Sequence, residues 1–268
     1  RRSTVERLEK QVAQLSHTSH AIGCANGTDA ILLALRALDV GRNDAVVTTP
    51  FTFFATAGAI HNVGARTVFA DIDPDTFNIS PEAVDETVRS TPDAKAVIAV
   101  DLFGQMAAID EIRNVLPQGM PVIEDAAQSI GASRHVDGRQ VMAGEIADIG
   151  TFSFFPSKNL GGYGDGGMTV TQSDELAARL RRLRTHGSVK TYFHEEVGYN
   201  SRLDALQAVV LSAKLPHLEA WSAARRRNAS LYDRAFADLD GVRTPVIDSR
   251  NQSIYNQYTL RAARRDEL

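Results

Sequence analysis

From Ala45 to Val170, short apolar runs alternate with segments whose apolar residues recur at helical spacing, the mark of βα units that build a largely parallel sheet. The runs 45–49, 66–70, 95–100, 121–124, 149–154 and 168–171 predict strands. Helical spacing predicts helices over 29–38, 53–62, 81–89 and 109–116, the third opened by Ser80 as N-cap with Pro81 in the first helical position. A further helix over 174–185 starts behind Ser173, and one pattern at the beginning runs through Val5, Leu8, Val12 and Leu15. The texture changes near Ser201. There Leu203, Leu206, Val209, Val210 and Ala213 lead to Pro216, which predicts a bend before a second helix from Leu218 to about Phe236 that carries the basic run Arg225–Arg227. There is no internal repeat and no low-complexity segment.

At 268 residues the chain has room for one large α/β domain and part of a second, given roughly 100–200 residues per domain. Its 29 basic and 33 acidic side chains leave a formal net charge of -4, so nothing general draws it to nucleic acid or an anionic membrane. An anionic small substrate would need a local basic pocket. The single cysteine, Cys24, excludes an internal disulfide and any multi-cysteine metal site, which fits a reducing compartment and makes the cytoplasm the expected location. No run approaches the roughly 18 apolar residues of a membrane span, and the start lacks a signal peptide's apolar core, so a soluble protein is expected. The final Arg-Asp-Glu-Leu matches a retention signal that acts only behind a secretory leader, and it reads as coincidence. The chain opens without Met inside a helical pattern and stops on a polar run, as a fragment would.

Three segments carry candidate chemistry. Ala25-Asn26-Gly27-Thr28 precedes an apolar helix, where free N–H groups attract phosphate, glycine permits close approach and a hydroxyl adds a donor; an ordinary capped helix fits the same residues. Glu124 and Asp125 close a buried-looking strand, at the sheet edge where ligands gather. Being adjacent they point to opposite faces, and Asp125 is the one read as facing the site, although a helix N-cap would also explain it. Lys158 follows an aromatic strand and precedes five glycines between Gly161 and Gly167. Lysine ordinarily sits in solvent; apolar neighbours would favour the free amine that attacks an aldehyde. Together with Ser153 these are the parts that pyridoxal phosphate (PLP) requires, namely a phosphate cradle, a carboxylate for the pyridine nitrogen and a lysine for the aldehyde.

The same segments resemble the sugar aminotransferases of the DegT/DnrJ/EryC1/StrS family. The likeness runs through Ala25-Asn26-Gly27-Thr28-Asp29-Ala30, Thr49-Pro50-Phe51-Thr52-Phe53-Phe54-Ala55-Thr56-Ala57, Asp71-Ile72-Asp73-Pro74, Glu124-Asp125-Ala126-Ala127-Gln128, Ser153-Phe154-Phe155-Pro156-Ser157-Lys158-Asn159-Leu160-Gly161 and Gly198-Tyr199-Asn200-Ser201-Arg202-Leu203-Asp204. It implies the α/β fold of the fold-type-I PLP transferases, a mostly parallel mixed sheet flanked by helices. Residues 1–215 would form the PLP-binding large domain and 216–268 the beginning of a smaller C-terminal domain. By the same resemblance Lys158 bonds the cofactor aldehyde, Asp125 pairs with the pyridinium nitrogen, Gln128 lies near the ring hydroxyl and Phe53 stacks on the ring. Gly27, Thr28 and Ser153 hold the phosphate, and Asn200 reaches the cofactor phosphate of a neighbouring subunit, which makes a homodimer with shared active sites the expected unit.

The reaction so implied moves an amino group from an amino acid, glutamate or glutamine, to a nucleotide-linked keto sugar. Two rivals share the fold. Some relatives are sugar dehydratases, typically with histidine at the lysine position, and a regulatory protein would use the scaffold without turnover. A nicotinamide-binding enzyme would need a Gly-x-Gly-x-x-Gly directly after the first strand, and none follows it. Other residues have plainer readings: Phe53 as core packing, Cys24 as a small core residue, and Arg202 with Asp204 as a local ion pair at a helix start. His186 and His194 are given no chemical role.

Overall fold

The structure, a computed structural model, describes residues 2–267; Leu268, the last residue of the Arg-Asp-Glu-Leu end, lies outside them. Helix α1 (Arg2–Leu15) leads into strand β1 (His20–Cys24), which no sequence expectation covered. Then follow α2 (Gly27–Ala37), β2 (Ala45–Thr48), α3 (Ala55–Asn62), β3 (Arg66–Phe69), α4 (Pro81–Arg89), β4 (Ala94–Val100), α5 (Ile109–Val115) and β5 (Val122–Asp125). A hairpin of β6 (Ser133–Val136) and β7 (Arg139–Met142) precedes β8 (Ile149–Ser153), β9 (Gly167–Thr171) and α6 (Asp174–Leu183).

These elements make one seven-stranded sheet in the order β1-β9-β8-β5-β4-β2-β3. Five neighbours from β8 to β3 run parallel, and β9 alone runs against both of its partners. Alternation along the strands supplies both faces with apolar side chains. Val46, Ile98, Ile123 and Ile149 join the cluster under α2, α3 and α6, whereas Val47, Val97, Ala99 and Val122 join the one under α4 and α5. A third cluster packs α1 and Leu211 against Phe152, Met168 and Val170. The result is a sheet covered by helices on both sides.

Most expected elements stand where the apolar periodicity put them, with two instructive shifts. Helix α3 begins at Ala55 rather than Phe53, because Phe54 offers no side chain to cap it and the residues before it form a bend. Phe53 is 74 % exposed, which overturns its reading as core. The expected ion pair at 202–204 is replaced by a cap: Asp204 accepts from the Leu206 N–H at 2.8 Å and opens α7 (Ala205–Lys214). Ser80 and Ser173 cap α4 and α6 as their positions predicted.

Between α6 and α7, a short exposed hairpin pairs β10 (Ser188–Lys190) with β11 (Phe193–His194). Pro216 lies in a single 3-10 turn, Leu215–His217, that passes directly into α8 (Leu218–Phe236). Small strand pairs complete the chain: β12 (Val242–Arg243) with β14 (Arg261–Ala262), and β13 (Asn251–Gln252) with β6. The last contact adds β13 to the β6–β7 hairpin and makes a separate three-stranded sheet, β13-β6-β7. Fully buried Arg134 on β6 binds Asp110, Glu111 and Asp248 at 2.8, 3.2 and 2.9 Å, so its charge is neutralised from two distant segments. Among the described residues no helix is long and apolar enough to cross a membrane.

Candidate active site

The C-terminal ends of β4, β5 and β8 open into a cavity of about 630 Å³, lined by residues from six segments, at the edge where parallel sheets present their ligands. The α2 N-terminus forms one wall. Asn26 caps it by accepting from the Asp29 N–H at 2.8 Å, and the Ala30 N–H takes the Asn26 carbonyl. The first two helical N–H groups, of Gly27 and Thr28, have no acceptor within a helix and both residues line the cavity. A Cβ on Gly27 would lie 2.6 Å from Ser153 Cβ. Glycine there lets the helix start touch β8, so that Gly27, Thr28 and Ser153 line one wall of the cavity together.

Opposite stands Asp125. Strand parity turns it toward α2 and α3, with Ile123, and turns Glu124 to the other face, as adjacency required. Asp125 Oδ2 accepts from the Thr56 hydroxyl at 2.8 Å, and Thr56 is linked in turn to Thr52 at 2.9 Å. Oδ1 takes the Ala127 N–H at a long 3.3 Å, so the turn-capping reading holds only in that weaker form. Burial holds the Asp125 carboxyl above its ordinary range, against the lowering by Thr56, Ala127 and Lys158. An anion held at this cost gains most from a cationic partner.

Lys158 sits in the turn after β8, its N–H bonded to the Phe155 carbonyl at 2.9 Å. The side chain is half-buried and lines the cavity. Burial lowers its pKa and Asp125 partly restores it, so the amine is more readily neutral than a surface lysine. Gln128 lines the same cavity with its Oε1 occupied by the Phe103 N–H at 2.6 Å, which leaves its amide N as the free donor. Phe53 forms an exposed rim beside Phe155.

Seven of the eight residues singled out from the sequence therefore meet in one cavity: Gly27, Thr28, Phe53, Asp125, Gln128, Ser153 and Lys158. Asn200 does not. It lies exposed, bridged to Thr185 outside the lining. Asn26, from the segment read as the phosphate cradle, also lines the cavity, as do Thr52, Thr56 and Asp165, which were given no role from the sequence, although the i,i+4 spacing of Thr52 and Thr56 was a visible signal. Cys24 is fully buried beneath the cradle, where burial pushes its thiol far up, as an inert core residue.

The mostly parallel mixed sheet flanked by helices is the α/β fold of the fold-type-I PLP aminotransferases. The chain belongs to the DegT/DnrJ/EryC1/StrS aminotransferase family, whose model matches residues 2–268. It is 50% identical over 267 residues to a pleiotropic regulatory protein of Geobacillus stearothermophilus, covering 98% of this chain and 70% of that one. It is 46% identical over 262 residues to the UDP-N-acetyl-3-dehydro-alpha-D-glucosamine 3-aminotransferase of Acidithiobacillus ferrooxidans, covering 97% of this chain and 69% of the relative. The crystal structure of S. venezuelae DesV in complex with a ketimine intermediate superposes with a TM-score of 0.93 at 38% identity, over 98% of this chain and 70% of that one.

Proposed function

We propose that the protein is a PLP-dependent aminotransferase that moves an amino group from an amino acid, glutamate or glutamine, to a nucleotide-linked keto sugar in amino-sugar synthesis. The observation that carries this is a half-buried lysine amine, without a hydrogen-bond partner among the described residues, sharing one cavity with a buried carboxylate and an open helix start. Each part of PLP finds a chemical counterpart. The Gly27 and Thr28 N–H groups with the Thr28 and Ser153 hydroxyls suit a phosphate, Asp125 suits a protonated ring nitrogen, and the free Gln128 amide suits a ring hydroxyl.

When bound, PLP supplies an aldehyde that condenses with amines and a ring that accepts the electron pair of a broken C–H bond. The chain's own groups do the rest. Asp125, fixed by Thr56, would keep a proton on the ring nitrogen. Lys158 Nζ would hold the cofactor's aldehyde carbon and, as an amine whose pKa burial has lowered, would be the base that takes the donor's Cα proton and the acid that gives a proton to the acceptor carbon. Phe53, exposed on the cavity rim, would cover the ring face.

Lys158, rather than the histidine typical of the dehydratases, supports transamination. The complete set of Asp125, Gln128, Ser153 and Lys158 supports turnover over a purely regulatory role, the sense of the name borne by the Geobacillus relative. A homodimer is supported by Asn200, which lies outside its own chain's cavity, and by the exposed Phe53, Phe54, Phe155 and Tyr163. We take residues 1–215 as the large domain, 216–268 as the start of a smaller one, and the cytoplasm as the location. Incubating the purified protein with PLP, glutamate or glutamine and a panel of nucleotide-linked keto sugars, with products identified by mass, tests the proposal. An aminated sugar is expected; binding of PLP without any aminated product from either donor would refute it.

A further inference from the structure

Behind the cavity, on the opposite face of the sheet, two acids meet. Strands β4 and β5 pair Ala99 with Glu124 and Val100 with Asp125, so alternation puts Asp101 and Glu124 on one face and Asp125 on the other. Asp101 and Glu124 are both completely buried. Among the described residues no Lys, Arg or His forms an ion pair with either. Asp101 uses both oxygens as an ionised carboxylate does, accepting from the Ala107 N–H at 2.8 Å and from the Ser129 hydroxyl at 2.6 Å. Glu124 accepts the Gly144 N–H at 2.8 Å through Oε2, whereas its buried Oε1 receives no donor and the carboxyl lies within hydrogen-bonding reach of Asp101. Two ionised carboxylates repel at that contact, and a shared proton turns it into a bond.

We infer that Glu124 is a neutral carboxylic acid in the folded protein, that it donates its proton to Asp101, and that this bond positions the turn carrying Gln128. Asp101 holds both supports of that turn. Its carboxylate takes the Ser129 hydroxyl next to Gln128, and it precedes the Leu102–Gly104 turn, whose Phe103 N–H binds Gln128 Oε1. Phe103 adopts this at a φ of 60°, a left-handed conformation that needs outside support in a non-glycine residue. Glu124 and Asp101 are thus positioning residues; Gln128's part in cofactor binding rests on the proposed function, but the proton does not.

Burial is the main cause that raises the Glu124 carboxyl well above its ordinary range, and it pushes Asp101 up to about 6. Among the described residues, the charged groups that weigh most on the pair are acidic: Glu145 on Glu124 and Asp125 on Asp101. Glu145 is itself paired with Arg139 and His17. With the folded pKa of Glu124 raised above the unfolded one, the native state holds this proton more tightly. Stability is then greatest below the unfolded pKa and declines as pH rises toward the folded one.

Glu124→Gln supplies the same donor and acceptor without a titrating proton. Melting curves of the cofactor-free protein from pH 5 to 9 should show wild type losing at least about 3 °C more than Glu124→Gln over that range. Parallel curves would overturn the inference. Infrared spectra of wild type with ¹³C-carboxyl glutamate, which need no variant, should show at neutral pH a protonated-carboxyl band that moves with the label; its absence would equally overturn it. Glu9 and Glu145, the other buried glutamates, are paired with Arg184 and Arg139 and would not contribute. For positioning, amide exchange at Phe103 and Ala107 should stay as in wild type in Glu124→Gln and quicken about tenfold or more in Glu124→Leu, which cannot donate. Unchanged exchange in Glu124→Leu would remove the positioning role. None of these readouts uses PLP, so a failure to bind the cofactor would strike the proposed function alone.

Discussion

A methyl group on Gly27 would meet Ser153 Cβ at 2.6 Å, its Oγ at 3.0 Å and its Cα at 3.3 Å. Carbon atoms pack best at about 3.5–4.0 Å, so Gly27→Ala requires a withdrawal of roughly 1 Å. Ser153 ends a strand held between β5 and β9, so the start of α2 has to move instead. That motion carries the Gly27 and Thr28 N–H groups away from the Ser153 hydroxyl while leaving Asp125 and Lys158 in place. Overpacking of this kind costs about 1–3 kcal/mol, or roughly 5- to 150-fold in affinity if it falls on ligand binding. The assay compares the affinities of wild type and Gly27→Ala for PLP and for pyridoxal, which has the same aldehyde and no phosphate. PLP binding should weaken by that factor and pyridoxal binding should hardly change. Adding Ser153→Gly, which removes the clashing Cβ, should recover part of the loss. Wild-type PLP affinity in Gly27→Ala, or equal losses for both ligands, would refute the phosphate cradle.

Three further expectations follow from the carboxylate and the amine. Asp125→Asn should keep PLP but lose transamination by on the order of 10²–10³-fold, the cost of breaking a buried charge pair, as read from single-turnover rates with glutamate. The rate of PLP uptake by the cofactor-free protein should rise with pH through a midpoint below the ordinary lysine value, because burial lowers the Lys158 pKa. Asp125→Asn should shift that midpoint lower still, since the Asp125 charge is what raises it; an upward shift would contradict the geometry. Thr56→Val removes the bond that lowers the Asp125 pKa. Its acid limb of activity should move to higher pH, with a loss of roughly 1–3 kcal/mol in transition-state stabilisation, measured as kcat/KM against pH.

What the sequence displayed, and what it hid, follows from the range of the forces involved. Strands such as Ala94–Val100 are visible because both faces are buried and the apolar run is unbroken. Strand β1 has only Ile22 as a β-branched residue and is held by pairing with β9 and by the Glu9 carboxylate, which accepts the Gly23 N–H at 2.8 Å. Those partners are distant in the chain, so local pattern could not find it. The β6–β7 hairpin did leave a signal, Asp137-Gly138 with both residues at positive φ. Its polar flanks concealed it, and Arg134, completely buried, is explained only by acids from α5 and from the segment near Asp248. In the site, Lys158, Asp125 and Gly27 were legible because each breaks a local habit of its residue type. Thr56 was not, because its function depends on Asp125, 69 positions away. Parity alone set Asp125 and Glu124 on opposite faces; the choice of Asp125 for the cavity went beyond it, and Asp125 is the one that lines the cavity.

The central claim is that Lys158 is the amine that holds PLP and moves the proton. Its most direct test is to load the protein with PLP, reduce it with borohydride, digest it and locate the added mass by peptide sequencing in a mass spectrometer. The account predicts a phosphopyridoxyl group on Lys158, none on that peptide in Lys158→Ala, and no amino transfer from glutamate by the variant. Attachment at another lysine, such as Lys190 or Lys214, or full turnover by Lys158→Ala, would contradict it.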